Sequence, residues 1–165
     1  MDIEKRNNLP SPFNSALETG VRSLSILEAY FPRSIDLQRL VELDYLVVHS
    51  GDANGPDSLH TPLPLRAGEL LVRREIIEKG LLLMISRGIV ERIIGDSGIE
   101  YRAGESASPY LAALTAPYTI ELRERATWAL QTFGDMPPES IRMITRRFFE
   151  RWSSQFQSLQ PPRGI

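Results

Sequence analysis

Residues 69–104 predict a helix that leads directly into a β-hairpin, and this succession restricts the possible folds more than any other feature. Apolar residues recur at helical spacing up to Met84. Gly88 ends that pattern, and two strands, 89–94 and 99–102, then flank a Gly-Asp-Ser-Gly turn. A helix followed by a hairpin is the second half of a winged helix-turn-helix. We therefore predict a mainly α fold with a small β-hairpin: a winged helix-turn-helix-like domain with a C-terminal helical extension.

Two earlier helices complete the core of this prediction. A capping box that starts at Ser15 begins the first helix, and Pro32 ends it. Ser34 or Asp36 caps the second helix, which is apolar on more than one side and should be central. Asp44 lies within this apolar stretch, so it needs a partner if it is buried.

The second half of the sequence predicts further helices. Ser108 and the proline after it predict a helix start, and the apolar spacing continues to Phe133. Pro117 should kink or divide this helix. Gly134 follows it, where a left-handed residue commonly ends a helix.

These patterns divide the chain into three parts. Residues 1–13 predict a flexible N-terminus, residues 14–134 form the winged-helix-like domain, and residues 135–165 contain a C-terminal helix and tail. The last helix should run from about 138 to 156, after a Pro-Pro link.

A long loop follows the second helix, and loops of this length in compact domains are often functional. Carboxylates and imidazoles in and beside it could hold zinc or manganese in a small metal-dependent hydrolase, with His49 as a general base. The candidates are Asp44, His49, Asp52, Asp57 and His60. Alternatively, the carboxylates cap loop amides and the histidines make ordinary hydrogen bonds. The spacing matches no established ligand or catalytic motif, so we predict no enzymatic activity, no metal and no cofactor.

The charge pattern bears on whether the helix and hairpin read DNA. Between Arg66 and Arg102 there are seven basic and six acidic residues, and the whole chain has a formal net charge of −2. Neutralisation of phosphates supplies most non-specific DNA affinity, and this surface has little net charge for it. The pattern favours a protein-docking module. The alternative is a winged-helix DNA-binding transcriptional regulator, which would dimerise and bind DNA in a salt-sensitive way.

The last helix is the first candidate for a partner-binding surface. Arginines recur on it beside aromatic residues, and these residue types dominate interface hot spots. The candidates here are Arg142, Arg146, Arg147, Phe149 and Trp152. A second candidate group contains Arg73, Arg74 and the loop from Asp52 to His60. Alternatively, the last helix packs on its own domain with its arginines in solvent.

The remaining composition bears on location. The chain has no cysteine, which fits a reducing compartment. No apolar run reaches the roughly 20 residues that span a bilayer, and the N-terminus lacks the apolar segment of a signal peptide. We expect a cytoplasmic protein that does not contact a membrane.

The succession of motifs between about residues 14 and 134 resembles the middle components of three-component ABC-ATPase systems, including the Lamassu type of antiviral defence. The matching stretches are Asn14–Glu18, Leu43–Leu46, Ser50–Asp52, Ser58–His60, Arg73–Glu75, Gly80–Leu81, Gly98–Tyr101 and the helix from Tyr118 to Phe133. None of them is catalytic.

This resemblance implies a non-enzymatic accessory subunit of a bacterial antiphage or antiplasmid defence complex. Such a subunit would bridge an SMC-like (Rad50-like) coiled-coil ATPase and an effector subunit, often a nuclease. DNA would then be contacted only indirectly, through the complex. The last helix lies beyond the resemblance, so its role rests on its own residues.

Overall fold

The computed structural model describes residues 15–60 and 69–157. Its elements are α1 (Ala16–Ala29), β1 (Ile35–Asp36), α2 (Leu37–Val48), a 3-10 turn (Ser50–Ala53), α3 (Glu69–Ser86), β2 (Val90–Gly95), β3 (Gly98–Ala103), α4 (Ala107–Ala112), α5 (Pro117–Phe133) and α6 (Pro138–Gln157). The fold is mainly helical, as predicted, and the predicted hairpin is part of a small three-stranded antiparallel sheet. The predicted flexible N-terminus lies outside the described residues. None of the described helices is long and apolar enough to cross a membrane.

The core lies where α1, α2, α3 and α5 meet. Ser15 caps α1 by accepting a hydrogen bond from the amide of Glu18 at 3.2 Å, as the capping box predicts. The inner positions of these helices are fully buried: Leu24, Leu27, Leu40, Leu43, Leu46, Ile77, Leu81, Met84, Leu122 and Ala126. The first apolar stripe is not buried throughout, because Leu17 and Phe31 at its two ends are about half exposed, at 46% and 50%.

α1 and α3 cross with their backbones in contact. A Cβ atom placed on Gly80 would lie 2.7 Å from the amide nitrogen and 3.0 Å from the Cα of Gly20. No side chain other than hydrogen fits between the helices at this point. The crossing therefore depends on this glycine pair.

The sheet has the order β1–β3–β2. Within the hairpin, Val90 pairs with Ala103 and Ile94 pairs with Ile99. Gly98 has a φ of +96°, so the predicted turn uses a conformation that favours glycine. β1 was not predicted, because its two residues, the second of which caps α2, are too few to show strand periodicity.

Pro117 divides the predicted long helix into α4 and α5, as expected. The prediction for Gly134 was wrong, since its φ of −58° is right-handed. The carbonyl oxygens at this end of α5 instead accept hydrogen bonds from Arg39 of α2, which contacts Gly134 and lies 3.0 Å from the carbonyl of Met136. A cation at a helix C-terminus satisfies these carbonyls and offsets the partial negative charge.

Candidate partner-binding surface and its buried polar support

Asp44 of α2 lies at the centre of a buried ion-pair cluster. The side chain of Asp44 is fully buried, and its two oxygens meet guanidinium groups from two other helices. Arg22 of α1 donates from Nε to Oδ1 at 2.7 Å and from Nη2 to Oδ2 at 3.3 Å. Arg73 of α3 donates from Nη1 to Oδ2 at 2.5 Å. The expectation that Asp44 requires a partner is confirmed, and the cluster joins α1, α2 and α3.

The two arginines keep Asp44 ionised. Burial by itself would raise the pKa of Asp44, but the charges and hydrogen bonds of Arg22 and Arg73 outweigh it, so the pKa lies below its ordinary value. Burial would lower the pKa of Arg22, and Asp44 reverses that shift as well. Asp44 and Arg22 are therefore both charged at neutral pH.

A layer of aromatic rings covers one side of the cluster. The guanidinium carbon of Arg73 lies 5.8 Å from the centre of the Tyr45 ring, and His49 packs on Tyr45 with ring centres 4.8 Å apart. His60 meets His49 edge-on and stacks on Tyr118 of α5. A hydrogen bond of 2.8 Å joins Nε2 of His60 to the Tyr118 hydroxyl. These rings connect the long loop to α2 and α5.

Both histidines are neutral at pH 7. Burial, followed by the positive charge of Arg73 and the other histidine, lowers the pKa of His49 to about 4. Burial, followed by the charge of Arg22, lowers the pKa of His60 to about 4. A histidine this poor as a proton acceptor is a weak general base at neutral pH.

We predict that stability decreases as the pH falls from 6.5 to 4. Because the folded-state pKa of each histidine lies below the ordinary histidine pKa of 6.5, the unfolded chain binds more protons across this window. Each histidine contributes a slope of up to about 1.4 kcal/mol per pH unit. Urea unfolding of the wild type and of His49→Gln, measured at pH 7.5 and at pH 5, checks this. The substitution should reduce the difference in the free energy of unfolding between pH 7.5 and pH 5. An unchanged difference would contradict the assignment to His49.

The described part of the long loop is held against the body. The amide of His60 donates to the carbonyl of Val48 at 3.1 Å. Arg125 of α5 donates from Nη2 and Nε to the carbonyl of Asp57 at 2.9 and 3.1 Å. Asp52 is half-buried in the 3-10 turn. The bond of His60 to Tyr118 agrees with the ordinary hydrogen bonds predicted for the histidines. The prediction that Asp44 caps a loop amide is wrong, because its oxygens bind Arg22 and Arg73.

The carboxylates and histidines do not assemble a metal centre in the part of the chain that the structure describes. Among residues 15–60 and 69–157, no three His, Cys, Asp or Glu side chains are grouped so that they could hold a metal ion. Asp44 is instead bound to two arginines, and His60 to Tyr118. The geometry gives no support to the hydrolase alternative.

α6 packs on α2 through one face of its first turns. Ile141 is fully buried and Thr145 is nearly so. The neighbouring positions Arg142, Arg146 and Arg147 are exposed. These turns agree with the interpretation in which the last helix packs on its own domain with its arginines in solvent. The interpretation of the helix as a partner-binding surface stays a prediction.

Polar side chains join the exposed arginines of α6 to those of α3. Arg142 Nε lies 3.8 Å from Oε1 of Glu42, and Gln38 donates to the same oxygen at 3.0 Å. Arg74 donates from Nη1 to Oε1 of Gln38 at 3.4 Å. Burial raises the pKa of Glu42, although the hydrogen bond from Gln38 and the charge of Arg142 oppose the shift. α2 therefore places residues from both predicted groups on one side of the molecule.

We call the exposed cations Arg74, Arg142, Arg146 and Arg147 the arginine surface. Arg73, which was predicted with Arg74, instead uses its guanidinium on Asp44 inside the protein. Phe149 and Trp152 lie within α6, but their side chains fall outside the described part of the structure.

The sequence reasoning missed the residues that organise this surface. Gln38 and Glu42 belong to the first turns of α2 and showed no distinctive pattern. Arg22 gave a usable signal, because a charged residue inside a buried apolar stripe, like Asp44 in the next helix, suggests a buried pair of opposite charges.

The fold is a mainly helical module that exposes arginines on α3 and α6. Residues 12–155 match the family of the ABC-three component (ABC-3C) system Middle Component 2, and the chain belongs to that family. The match covers most of the chain and extends into α6, beyond the stretch covered by the resemblance seen in the sequence. Comparison with curated proteins and with solved structures finds no match.

Proposed function

We propose that the protein is a non-enzymatic accessory subunit that bridges an SMC-like (Rad50-like) ATPase and an effector nuclease in an antiphage defence complex of the Lamassu type, in the cytoplasm. Membership of the middle-component family supports a role beside other components. The observation that carries the proposal is the arginine surface, in which Gln38 and Glu42 bring Arg74 of α3 and Arg142 of α6 to one side of α2. Arg146 and Arg147 are exposed about one turn further along α6.

The chemistry of this surface indicates the partner. Guanidinium groups bind carboxylates through two parallel hydrogen bonds and stack on aromatic rings. Arg146 and Arg147 are exposed, and neither is within 4.0 Å of a carboxylate oxygen in the described part of the chain. We propose that they bind acidic side chains on the ATPase, near its head or the adjoining coiled coil.

The order α1–β1–α2–α3–β2–β3 and the sheet order β1–β3–β2 support a winged-helix-like interpretation.

Two features oppose a role as a DNA-binding transcriptional regulator. A helix-turn-helix joins its helices by a short turn, whereas residues 49–68 separate α2 from α3. The exposed charges of α3 are also mixed, because Glu75 and Glu78 lie among its cations.

We predict that the double substitution Arg146→Glu and Arg147→Glu weakens the complex with the ATPase encoded beside this chain at least tenfold. The reversed charges would repel the acidic side chains that the arginines bind, and tenfold in affinity corresponds to about 1.4 kcal/mol. The measurement is the affinity of the purified chain for that ATPase, by calorimetry and by co-elution. Failure of the wild-type chain to co-elute would overturn the proposed function.

A matched control is Arg87→Glu at the other end of α3, where an exposed arginine lies about 20 Å along the helix from Arg74. Its affinity should equal that of the wild type. Equal affinity of the wild type, the double variant and Arg87→Glu would remove α6 from the interface. A DNA mobility shift that weakens strongly between low and high salt would favour the regulator instead.

A further inference from the structure

One edge of the sheet is open. β3 lies between β1 and β2, so the outer edge of β2 is not paired with any strand among the described residues. Exposed edges with free main-chain groups are sites at which further strands can add. β2 contains no proline, and its six residues pair with β3 one to one.

The main-chain groups on this edge can be identified from the hydrogen-bond pattern. The amide of Gly104 donates to the carbonyl of Ile89 at 2.8 Å, in line with the register of the hairpin. Antiparallel pairs alternate between hydrogen-bonded and non-hydrogen-bonded residues. The N–H and C=O groups of Val90, Arg92 and Ile94 therefore point away from β3, toward the open edge.

The side chains beside this edge are unusual for a free surface. Ile94 is 90% exposed, and its cross-strand neighbour Ile99 is 56% exposed, so the hairpin carries an uncovered apolar pair near its tip. On the other face of the hairpin, Glu91 is bound to Arg102 at 2.7 Å. Arg92 is exposed, and no carboxylate of the described residues lies within 4.0 Å of it.

We propose that β2 receives an extended segment of a partner protein as a fourth strand, with a carboxylate beside Arg92 and an apolar side chain against Ile94. Cross-strand pairs of opposite charge and of apolar residues stabilise such an addition. The inference rests on the proposed function for the existence of a partner, but it assigns a second interface that is separate from the arginine surface.

Charge disfavours a second copy of this chain as the added strand. Two copies could pair their β2 strands antiparallel about a two-fold axis that passes beside residue 91, 92 or 93. An axis at residue 92 puts the two Arg92 side chains directly opposite each other, and an axis at residue 91 or 93 makes them diagonal neighbours. Like charges at these positions are destabilising. A strand that carries Asp or Glu has no such conflict.

The test uses the full chain, alone and in complex with the other components of its system. In the isolated chain, residue-resolved hydrogen exchange should be fast at the amides of Arg92 and Ile94 and slow at Ile93, which bonds to β3. Complex formation should slow the exchange of Arg92 and Ile94 at least tenfold. Protection of both amides already in the isolated chain would overturn the proposal, since the edge would then be occupied by this chain or by a second copy.

Three variants separate the contributions. Arg92→Glu should weaken the complex at least tenfold relative to Arg87→Glu. Ile94→Pro, which removes an outward amide, should weaken it more than Ile94→Ala, which keeps that amide. Thermal unfolding of each variant checks that the hairpin still forms. If all three variants bind the other components with wild-type affinity, the β2 inference fails. The proposed function would still stand if Arg146→Glu and Arg147→Glu weaken the same complex.

Discussion

Asp44→Ala should lower the free energy of unfolding by about 3–5 kcal/mol, because it removes the carboxylate that is ion-paired with the buried guanidinium of Arg22. Arg22 is 3% exposed and cannot reach water without opening the contact between α1 and α2. Arg73 is 18% exposed and can turn outward, so Arg73→Ala should cost less than Asp44→Ala. Urea denaturation at pH 7 measures both differences.

The matched control is Asp135→Ala, which removes the same side chain from an ion pair on the surface. Its partner Arg33 is 60% exposed and Asp135 is 89% exposed, with Nη1 and Oδ1 2.8 Å apart. Solvent screens exposed pairs, so they contribute little to stability. Equal losses for Asp44→Ala and Asp135→Ala would contradict the role given to burial.

The double substitution Arg22→Met with Asp44→Leu should recover most of the lost stability. Replacement of a buried ion pair by apolar side chains of similar size is often neutral or stabilising. If the double variant is as unstable as Asp44→Ala, the loss comes from packing and not from an unpaired charge.

The pH dependence of Asp44 distinguishes it from the histidines. Because the folded-state pKa of Asp44 is below 3.8, its stabilisation is present above that value and is lost as the pH falls through the folded-state pKa. The histidine contribution is lost at higher pH, between 6.5 and 4. The free energy of unfolding should therefore be measured against pH for the wild type and for His49→Gln. The two curves should have different slopes above pH 4 and the same slope below it.

Local signals predicted most of the secondary structure. Gly88, with a φ of +71°, ends the third helix because few other residues adopt that conformation, and Pro117 divides α4 from α5 because its ring excludes a preceding helical turn. These causes act within a few residues, so they are visible in the sequence. The end of α5 at Phe133 was predicted correctly, but the left-handed conformation of Gly134 was not found, because Arg39, almost a hundred residues earlier, satisfies the carbonyls there.

The site was predictable only in part, because its organisation depends on contacts between distant residues. The sequence indicated that Asp44 needs a partner, and it indicated Arg73 and Arg142 as candidates for an interface. It could not show that Arg73 binds Asp44 in the interior while Arg142 remains at the surface beside Glu42. That separation follows from how α3 and α6 pack on α2, which no local periodicity specifies.

Gly80→Val should lower the free energy of unfolding by about 3 kcal/mol, through overpacking at the crossing of α1 and α3. Its Cβ would meet the backbone of Gly20 at 2.7 Å, and backbone atoms within a helix cannot move aside locally. Gly80→Ala should cost less, because about 1 kcal/mol of improved helix propensity offsets part of the clash. Denaturant unfolding of this series, with Lys79→Ala as the exposed neighbour, checks the dependence on side-chain size.

Gly20→Ala provides the closest control, because it gains the same helix propensity at the same crossing. A Cβ on Gly20 first meets Cε of Met84 at 2.8 Å, and a methionine side chain can adjust. Gly20→Ala should therefore be milder than Gly80→Ala. The same crossing holds Arg73 near Asp44, so Gly80→Val combined with Arg73→Ala should cost less than the sum of the two single losses. Strict additivity would mean that the glycine contact and the buried ion-pair cluster stabilise the helices independently.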